Sequence, residues 1–486
     1  MQHSLSTLIK SLKNIVELCL LTVFLLCSVL PVFPDNNASL YAQTSFTGYL
    51  ENYNAVTTTG RNELISGRNQ LRLNLLANLP DGRAYASQDI RNNYSFSPDS
   101  VNYTLREAWV ELHLPNSDLR VGRQVIVWGQ ADGAFIADLI SPVDFSEFLT
   151  RSFDDLRKGV DAISYTRYFG SNSLQLVANP VFNAYTLPKP GSRWDVRPPL
   201  PDSLNASFEP SGSNAITLRN MQFAARLSLR PAAGSDLNLA VMYWRPGLPS
   251  YRKTLLATDE SGFRLPEQLI LKERYRPTFI ATIGSVFRLA ESLNSQSEIA
   301  FYYRRDADYL PPNVSFERIN ELLATDPQSL PLEEIIRLAG ELDTITRSIQ
   351  ADSASGLLRA KPFISGMTGF RYTRSGWLFS TQYLAELILD YNQLLLQEQY
   401  YHSATLLMQR TFRRDTMALR TFIRYNFNGE DFWVNPEWQY DVSDGISLRF
   451  GSHLFGGPLP ASGYGHIHFR NFASNSFIYG GIRAYW

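Results

Sequence analysis

Cysteine is missing from all but the first 27 residues of this 486-residue chain. The two that occur are Cys19 and Cys27. Everything that follows is closed to disulfides, thiolate metal sites and a cysteine nucleophile. A charge surplus is missing as well. The 45 Lys and Arg are balanced by 46 Asp and Glu, so nothing points to nucleic acid as a partner. Past the N-terminal stretch no segment has 18 consecutive apolar residues, which argues against membrane-spanning helices. G-x-S-x-G, H-E-x-x-H and P-loop patterns are all absent. The one His-Ser dipeptide, His402-Ser403, cannot act as a pair on a strand, where neighbours face opposite sides. No cofactor, no metal and no enzyme are expected on these grounds.

What is present starts with a leader. Lys10 and Lys13 precede an apolar run from Leu18 to Leu30, then a polar segment and Ala42. That order of charge, apolar core and small residue is a secretory signal peptide. Cleavage is expected after Ala42, with Ala38 as the alternative. Residues 1–42 are the leader and 43–486 form one domain.

Aromatics are plentiful, with 25 Tyr, 29 Phe and 8 Trp, and apolar residues recur at period two. In Asn220–Arg230, Met221, Phe223, Ala225, Leu227 and Leu229 alternate with mostly polar residues. Leu71–Leu79, Thr416–Phe427 and Ile446–Leu454 behave alike. Short turns fall at 80–82, 115–118, 170–172, 231–235, 289–294, 374–376, 413–415 and 441–445, and most hold Gly, Pro, Asn or Asp. Mostly longer connections fall between them, at 55–68, 93–102, 127–158, 181–218, 246–275, 306–359, 390–399, 428–431 and 455–475. Eight short and nine mostly long connections join about 18 strands. The fold class is therefore all-β, a transmembrane antiparallel barrel with short turns on the periplasmic side.

The sixth outer loop has a helical pattern, with Ile335, Leu338, Ala339, Leu342, Ile345 and Ile349 at helix spacing. Ser329 is the expected cap, and Glu333 and Glu334 suit the first turn. This helix is expected to pack on the barrel mouth or to serve as a mobile gate.

Alternation assigns to the lumen Arg72, Arg226, Arg230, Arg304, Arg371, Arg420, Arg424, Arg449 and Arg483, with the acids Glu107, Glu111, Glu298 and Glu386. Low-dielectric walls focus the field of such charges and concentrate anions. Two readings stay open: a solvated wall with internal ion pairs, or a path for anionic or sugar-acid solutes. The third outer loop holds Trp128, Asp132, Asp138, Asp144, Arg151, Asp154, Asp155, Arg157 and Lys158. Long loops without a core of their own are usually functional, and this one is expected to fold inward as a constriction. Calcium at Asp132, Asp138 and Asp144 is an alternative, although their spacing does not match an EF-hand. Tyr243, Trp244, Tyr372, Trp377, Tyr400, Tyr401, Trp433, Trp438 and Tyr440 are expected at the membrane interfaces, with sugar stacking as the alternative.

The segment Val121-Gly122-Arg123-Gln124-Val125-Ile126-Val127-Trp128-Gly129-Gln130-Ala131-Asp132-Gly133, followed by Asp138-Leu139-Ile140-Ser141-Pro142-Val143-Asp144, resembles porin-like outer-membrane proteins of the alginate-export type and related proteins with no assigned substrate. The last strand, ending on Tyr485 and Trp486, is similar to the terminal strand that the bacterial barrel-assembly machinery reads. The resemblance implies an 18-strand barrel in the outer membrane of a Gram-negative cell. It also implies passive movement of small solutes, with lipid and the assembly machinery as partners. It does not imply alginate. Two rivals share this scaffold: an outer-membrane enzyme of lipase or protease type, and a surface receptor or adhesin built on the large loops. No self-complementary strand face decides the oligomeric state.

Overall fold

The computed structural model describes residues 43–60, 63–95, 101–197, 204–211, 220–326, 328, 330–458 and 466–486, with Asp154 described by its backbone alone. The expected leader, 1–42, and the expected cap Ser329 lie outside the described residues.

Eighteen strands close into one antiparallel barrel. Its first seven are β1 (Gln43–Thr57), β2 (Leu64–Leu79), β3 (Gly82–Asn93), β4 (Val101–Leu114), β5 (Ser117–Gln124), β6 (Val160–Phe169) and β7 (Asn172–Asn179). β8 (Asn205–Glu209) leaves the barrel, which resumes with β9 (Gln222–Ala232) and β10 (Ser235–Trp244). β11 (Ser250–Glu260) and β12 (Phe263–Arg274) leave it again. Then come β13 (Thr278–Ala290), β14 (Leu293–Asp308), β15 (Leu358–Arg374), β16 (Trp377–Ile388), β17 (Tyr400–Phe412) and β18 (Met417–Asn426). The wall ends with β19 (Asp431–Ser443), β20 (Ile446–Gly456) and β21 (Phe477–Tyr485). Closure is made by β1, which pairs with β2 on one side and with β21 on the other, from Tyr49↔Tyr485 to Thr57↔Phe477. A closed sheet leaves no unpaired edge, which is what a strand needs in hydrocarbon.

The alternation of side chains explains why the wall closes where it does. Phe46, Leu50, Ile163, Phe223, Val241, Phe279, Ile299, Phe370, Leu419, Phe450, Ile478 and Ile482 are exposed on the outside. In water so broad an apolar belt would drive association; against lipid it is the matching surface. The exterior is that of an outer-membrane barrel. All eight short connections expected from the sequence are tight turns, and the described residues of the nine other connections lie at the opposite end. The short-turn end is the periplasmic one.

The interior divides into two sectors. From β6 to β16 the inward side chains are largely small or apolar, among them Ala162, Ala224, Ala240, Ala300, Phe363 and Met367. Ile126, Trp128, Ile136, Leu139 and Ile140 of the third outer loop pack on them. The short alanines make room for a loop inside the barrel, and burying each large apolar residue there contributes about 1.5–3 kcal/mol. The other sector, β17 to β21 and β1 to β4, carries most of the inward charge.

Two outer loops differ from the sequence reading. Connections 181–218 and 246–275 were expected as loops, but they supply a three-stranded sheet, with β11 antiparallel to β12 and β8 parallel to β12. The sixth loop forms α1 (Phe316–Ala324) and α2 (Leu332–Ala351). Glu333 and Glu334 occupy the first turn of α2 as expected, and Pro331 stands at its N-cap. Leu342, Ile345 and Ile349 pack on Leu255, Leu269 and Leu271 of the sheet. Sheet and helices thus make an extracellular cap with its own core.

Candidate channel constriction

The third outer loop, residues 125–159, reaches inward-facing residues all round the barrel. Its root is fixed on β4, where Glu107 accepts the Val125 amide at 3.0 Å and the Trp109 indole at 3.2 Å. Trp128 donates its indole N–H to Gln175 at 2.9 Å and lies under the Arg226 guanidinium at 5.1 Å. Glu298 on β14 accepts the amides of Gln130 and of Ala137, the latter at 3.1 Å. Asp132 is gripped by Arg371 at 2.8 Å, the Ser380 hydroxyl at 2.6 Å and Gln382 at 3.1 Å. Arg424 on β18 donates to the Gly133 carbonyl at 3.1 Å. Gly133 has φ +70°, and a Cβ there would strike the Phe422 ring, so glycine is required at this closest approach to the wall.

The second half of the loop turns to the charged sector. Asp155 pairs with Arg72 at 2.7 Å and stands 3.9 Å from both Arg106 and Arg483. Glu147 pairs with Arg68 at 2.7 Å. Within the loop Asp138 pairs with Arg157 at 2.6 Å and Asp144 with Arg151 at 2.6 Å. Lys158 donates to Thr186 at 2.7 Å. Each of Asp132, Asp138 and Asp144 is therefore committed to a different arginine. Burial opposes ionisation of Asp155, but Arg72 and the Ser152 hydroxyl outweigh it and hold the carboxyl below its ordinary range. Burial prevails at Asp138 and pushes that carboxyl up against the pull of Arg157.

The other wall residues named from the sequence fall into three groups. Arg72, Arg449 and Arg483 face inward and are paired. Arg72 holds Asp89 as well, and Arg449 and Arg483 share Glu51. Glu111 bridges Arg83 at 2.7 Å and Arg120 at 2.5 Å. Glu386 holds Arg305 at 2.6 Å and the Ser365 hydroxyl at 2.7 Å. Arg226, Arg420 and Arg424 have no carboxylate partner among the described residues. Two assignments need correction. Arg304 is exposed and lies against the outward Tyr303 ring at 5.5 Å, because the β14–β15 register shifts after Tyr302 and hands the inward place to Arg305. Arg230 stands at the periplasmic rim, paired with Asp236 at 3.1 Å in exposed surroundings. The side chain of Asp154 lies outside those described.

The aromatic group also divides, because neighbours on a strand face apart. Tyr243, Tyr372, Trp377, Tyr400, Trp438 and Tyr440 lie on the outer face. Trp244 is buried inside, Tyr401 stacks on His466 at 3.6 Å, and Trp433 stacks on His453 at 5.6 Å. Near the mouth three loops converge on one aromatic cluster that sequence reading missed: Phe148 packs on Trp194 at 5.3 Å and on Phe472 at 4.6 Å. Its residues lie far apart in sequence, so no local pattern announced it. His466 approaches Glu386 at 3.7 Å and His468 pairs with Asp431 at 2.9 Å. Among the described residues no serine hydroxyl bonds a histidine; Ser365 donates to Glu386 instead.

No curated protein matches the chain. Solved structures that resemble it include Pseudomonas aeruginosa OccK8 (OprE), with 8% identity, TM-score 0.49 and coverage of 91% of this chain and 98% of that one. Another is Pseudomonas aeruginosa OccD3 (OpdP), with 8% identity, TM-score 0.47 and 91% coverage of each chain. Acinetobacter baumannii OccAB1 shows 9% identity, TM-score 0.48 and coverage of 93% and 99%. At such values they assign neither a solute nor a residue role. The family model described as "Protein of unknown function (DUF1302)" matches residues 36–314, more than half of the sequence, and the chain belongs to that family.

Proposed function

We propose that this protein is a passive outer-membrane channel for small anionic solutes, with the third outer loop as its constriction. The observation that carries the reading is the pair Arg420 and Arg424 on β18. Both point inward and neither forms an ion pair among the described residues; Glu437, opposite Arg420, accepts instead from the Tyr479 hydroxyl. Arg449, Arg483 and Arg72 extend the cationic wall from β20 through β2. Guanidinium binds carboxylate and phosphate in two-point fashion. A wall that already holds Asp89 in this way, and Glu51 and Asp155 by single contacts, can pass a solute carboxylate from one arginine to the next. Asp132, Asp138, Asp144, Arg151, Asp155, Arg157 and Lys158 hold the loop in place. The likeness to the alginate-export type stays with the Val121–Asp144 segment, and we propose no polymer as cargo. Tyr485 and Trp486 serve as the assembly signal, and residues 1–42 as a cleaved leader.

Liposome swelling tests the solute class. With the mature chain refolded in vesicles, small monocarboxylates should enter faster than neutral sugars of equal size. Equal rates for both would overturn the anionic reading while leaving a channel. No swelling with either would overturn the channel and favour a receptor or an enzyme.

A further inference from the structure

The lipid-facing wall carries two cations side by side at one place on the periplasmic rim, and a lone one, Arg167, elsewhere on it. Strand register sets Arg374 opposite Trp377, Trp377 opposite Arg410, and Arg410 opposite Leu419. Directly opposed residues share a face. Trp377 and Leu419 are exposed on the outer surface, so Arg374 and Arg410 point outward beside them. The Arg410 guanidinium lies 5.0 Å from the Trp377 ring and donates to the Ser375 carbonyl. Trp377 in turn stacks on Phe379 at 5.2 Å. One turn along, Arg413 and Arg414 are exposed beside Asp415, and all three hold positive φ of 53°, 58° and 65°. Glycine or asparagine would adopt that backbone at less cost.

Elsewhere on the rim most cations are paired or stand alone, Arg167 bonding only the Pro115 carbonyl among the described residues. Arg83 and Arg120 share Glu111, Arg230 pairs with Asp236, and His113 and Tyr168 engage Asp118. Arg374, Arg410, Arg413 and Arg414 have no ion-pair partner among the described residues. An arginine on the lipid face of a barrel costs about 2–4 kcal/mol at mid-membrane and about 0–1 kcal/mol near the interface. Tryptophan marks that interface. The four cations therefore sit at the depth of the lipid phosphates.

We propose that Arg374, Trp377 and Arg410, with Arg413 and Arg414 of the next turn, form a binding site for an anionic phospholipid headgroup of the periplasmic leaflet. The phosphate lies between the two wall arginines, Trp377 and Phe379 contact the upper acyl chains, and the turn arginines meet a second charge. A soluble acidic partner would not need two of its arginines on the wall that faces hydrocarbon. The inference rests on the membrane placement of the barrel and is independent of what the channel passes.

Native mass spectrometry of the refolded mature chain, released from nanodiscs of phosphatidylethanolamine with one fifth phosphatidylglycerol or cardiolipin, tests it. The wild type should retain the anionic lipid in clear excess over its share of the disc. One basic residue near a membrane surface is worth about 1 kcal/mol, so Arg374→Gln with Arg410→Gln should lower retention roughly 30-fold. Arg413→Asn with Arg414→Gly suits the turn backbone and should fold even if the first variant does not; it too should lose retention, and added salt should weaken the wild type. Arg230→Gln, in the paired part of the rim, should change nothing. Retention proportional to composition, or variants that retain as much as wild type, would overturn the proposal. So would capture of purified peptidoglycan by the wild type and not the variants with lipid retention unchanged.

Discussion

Arg420 and Arg424 show what a single residue contributes and how far alternation reveals it. Both were legible as lumen residues, because period two on β18 leaves no other face. Their surroundings were not legible, since a partner comes from another strand or a loop. Arg424 is enclosed by the Gly133 carbonyl and the Phe469 ring, 5.9 Å from its guanidinium. Arg420 stands opposite Glu437 and makes no contact with the loop among the described residues. Arg420→Glu should therefore shift ion preference towards cations without loss of folding, read as the reversal potential in a salt gradient. An unshifted potential would remove Arg420 from the path. Arg424→Gln should instead loosen the loop, at about 1–3 kcal/mol for the bond left unmade, and appear as noisier single-channel current. Arg304 marks the limit of alternation: one bulge exchanged its place with Arg305, and no local pattern announces a bulge.

Asp155 gives a dependence on pH. Its folded pKa lies below the ordinary 3.8, so the stability it lends the loop is present above that value and is lost as pH falls through the folded pKa. Conductance should stay flat from pH 8 to 5 and change only below about pH 4. Asp155→Asn should mimic the acid state at neutral pH. A conductance step centred near pH 6 would place control elsewhere.

At the scale of elements, turn chemistry did most of the work. Pro, Gly, Asn and Asp marked nearly all the hairpins, and strand length followed. The cap sheet was missed although β11 and β12 alternate and flank Ser261-Gly262, itself a turn signal. Alternation reads the same in a barrel and in a cap. Which sheet a hairpin joins is decided by distant pairing, here Asn205–Glu209 alongside Gln268–Lys272. The cap should fail by itself. Leu271→Ala removes a fully buried side chain and should cost the cap about 2–5 kcal/mol. Protease should then cut within 245–277 at lower concentration, while the heat-modifiable gel shift of the barrel stays unchanged; loss of both together would make cap and barrel one cooperative unit. Deleting Ala131–Arg157 should raise single-channel conductance severalfold, because the loop packs inside the wall. Unaltered conductance would place the current elsewhere.

At the scale of the molecule, the two sectors of the lumen account for the rest. Ala162, Ala224, Ala240 and Ala300 face inward where a water-filled wall would carry polar groups, and they are small where the loop must lie. That pattern is present in the sequence, but it reads as weak strand character until the barrel is closed and the loop is in place. The opposite sector keeps the guanidinium groups. Together they divide one barrel into a packed side and an arginine-lined side, and the proposed channel runs along the latter. Planar-bilayer recording of the refolded mature chain tests it most directly, with the reversal potential taken in a salt gradient. Stepwise openings with anion preference are the predicted result. A folded barrel that inserts without conductance, or one that prefers cations, would contradict it.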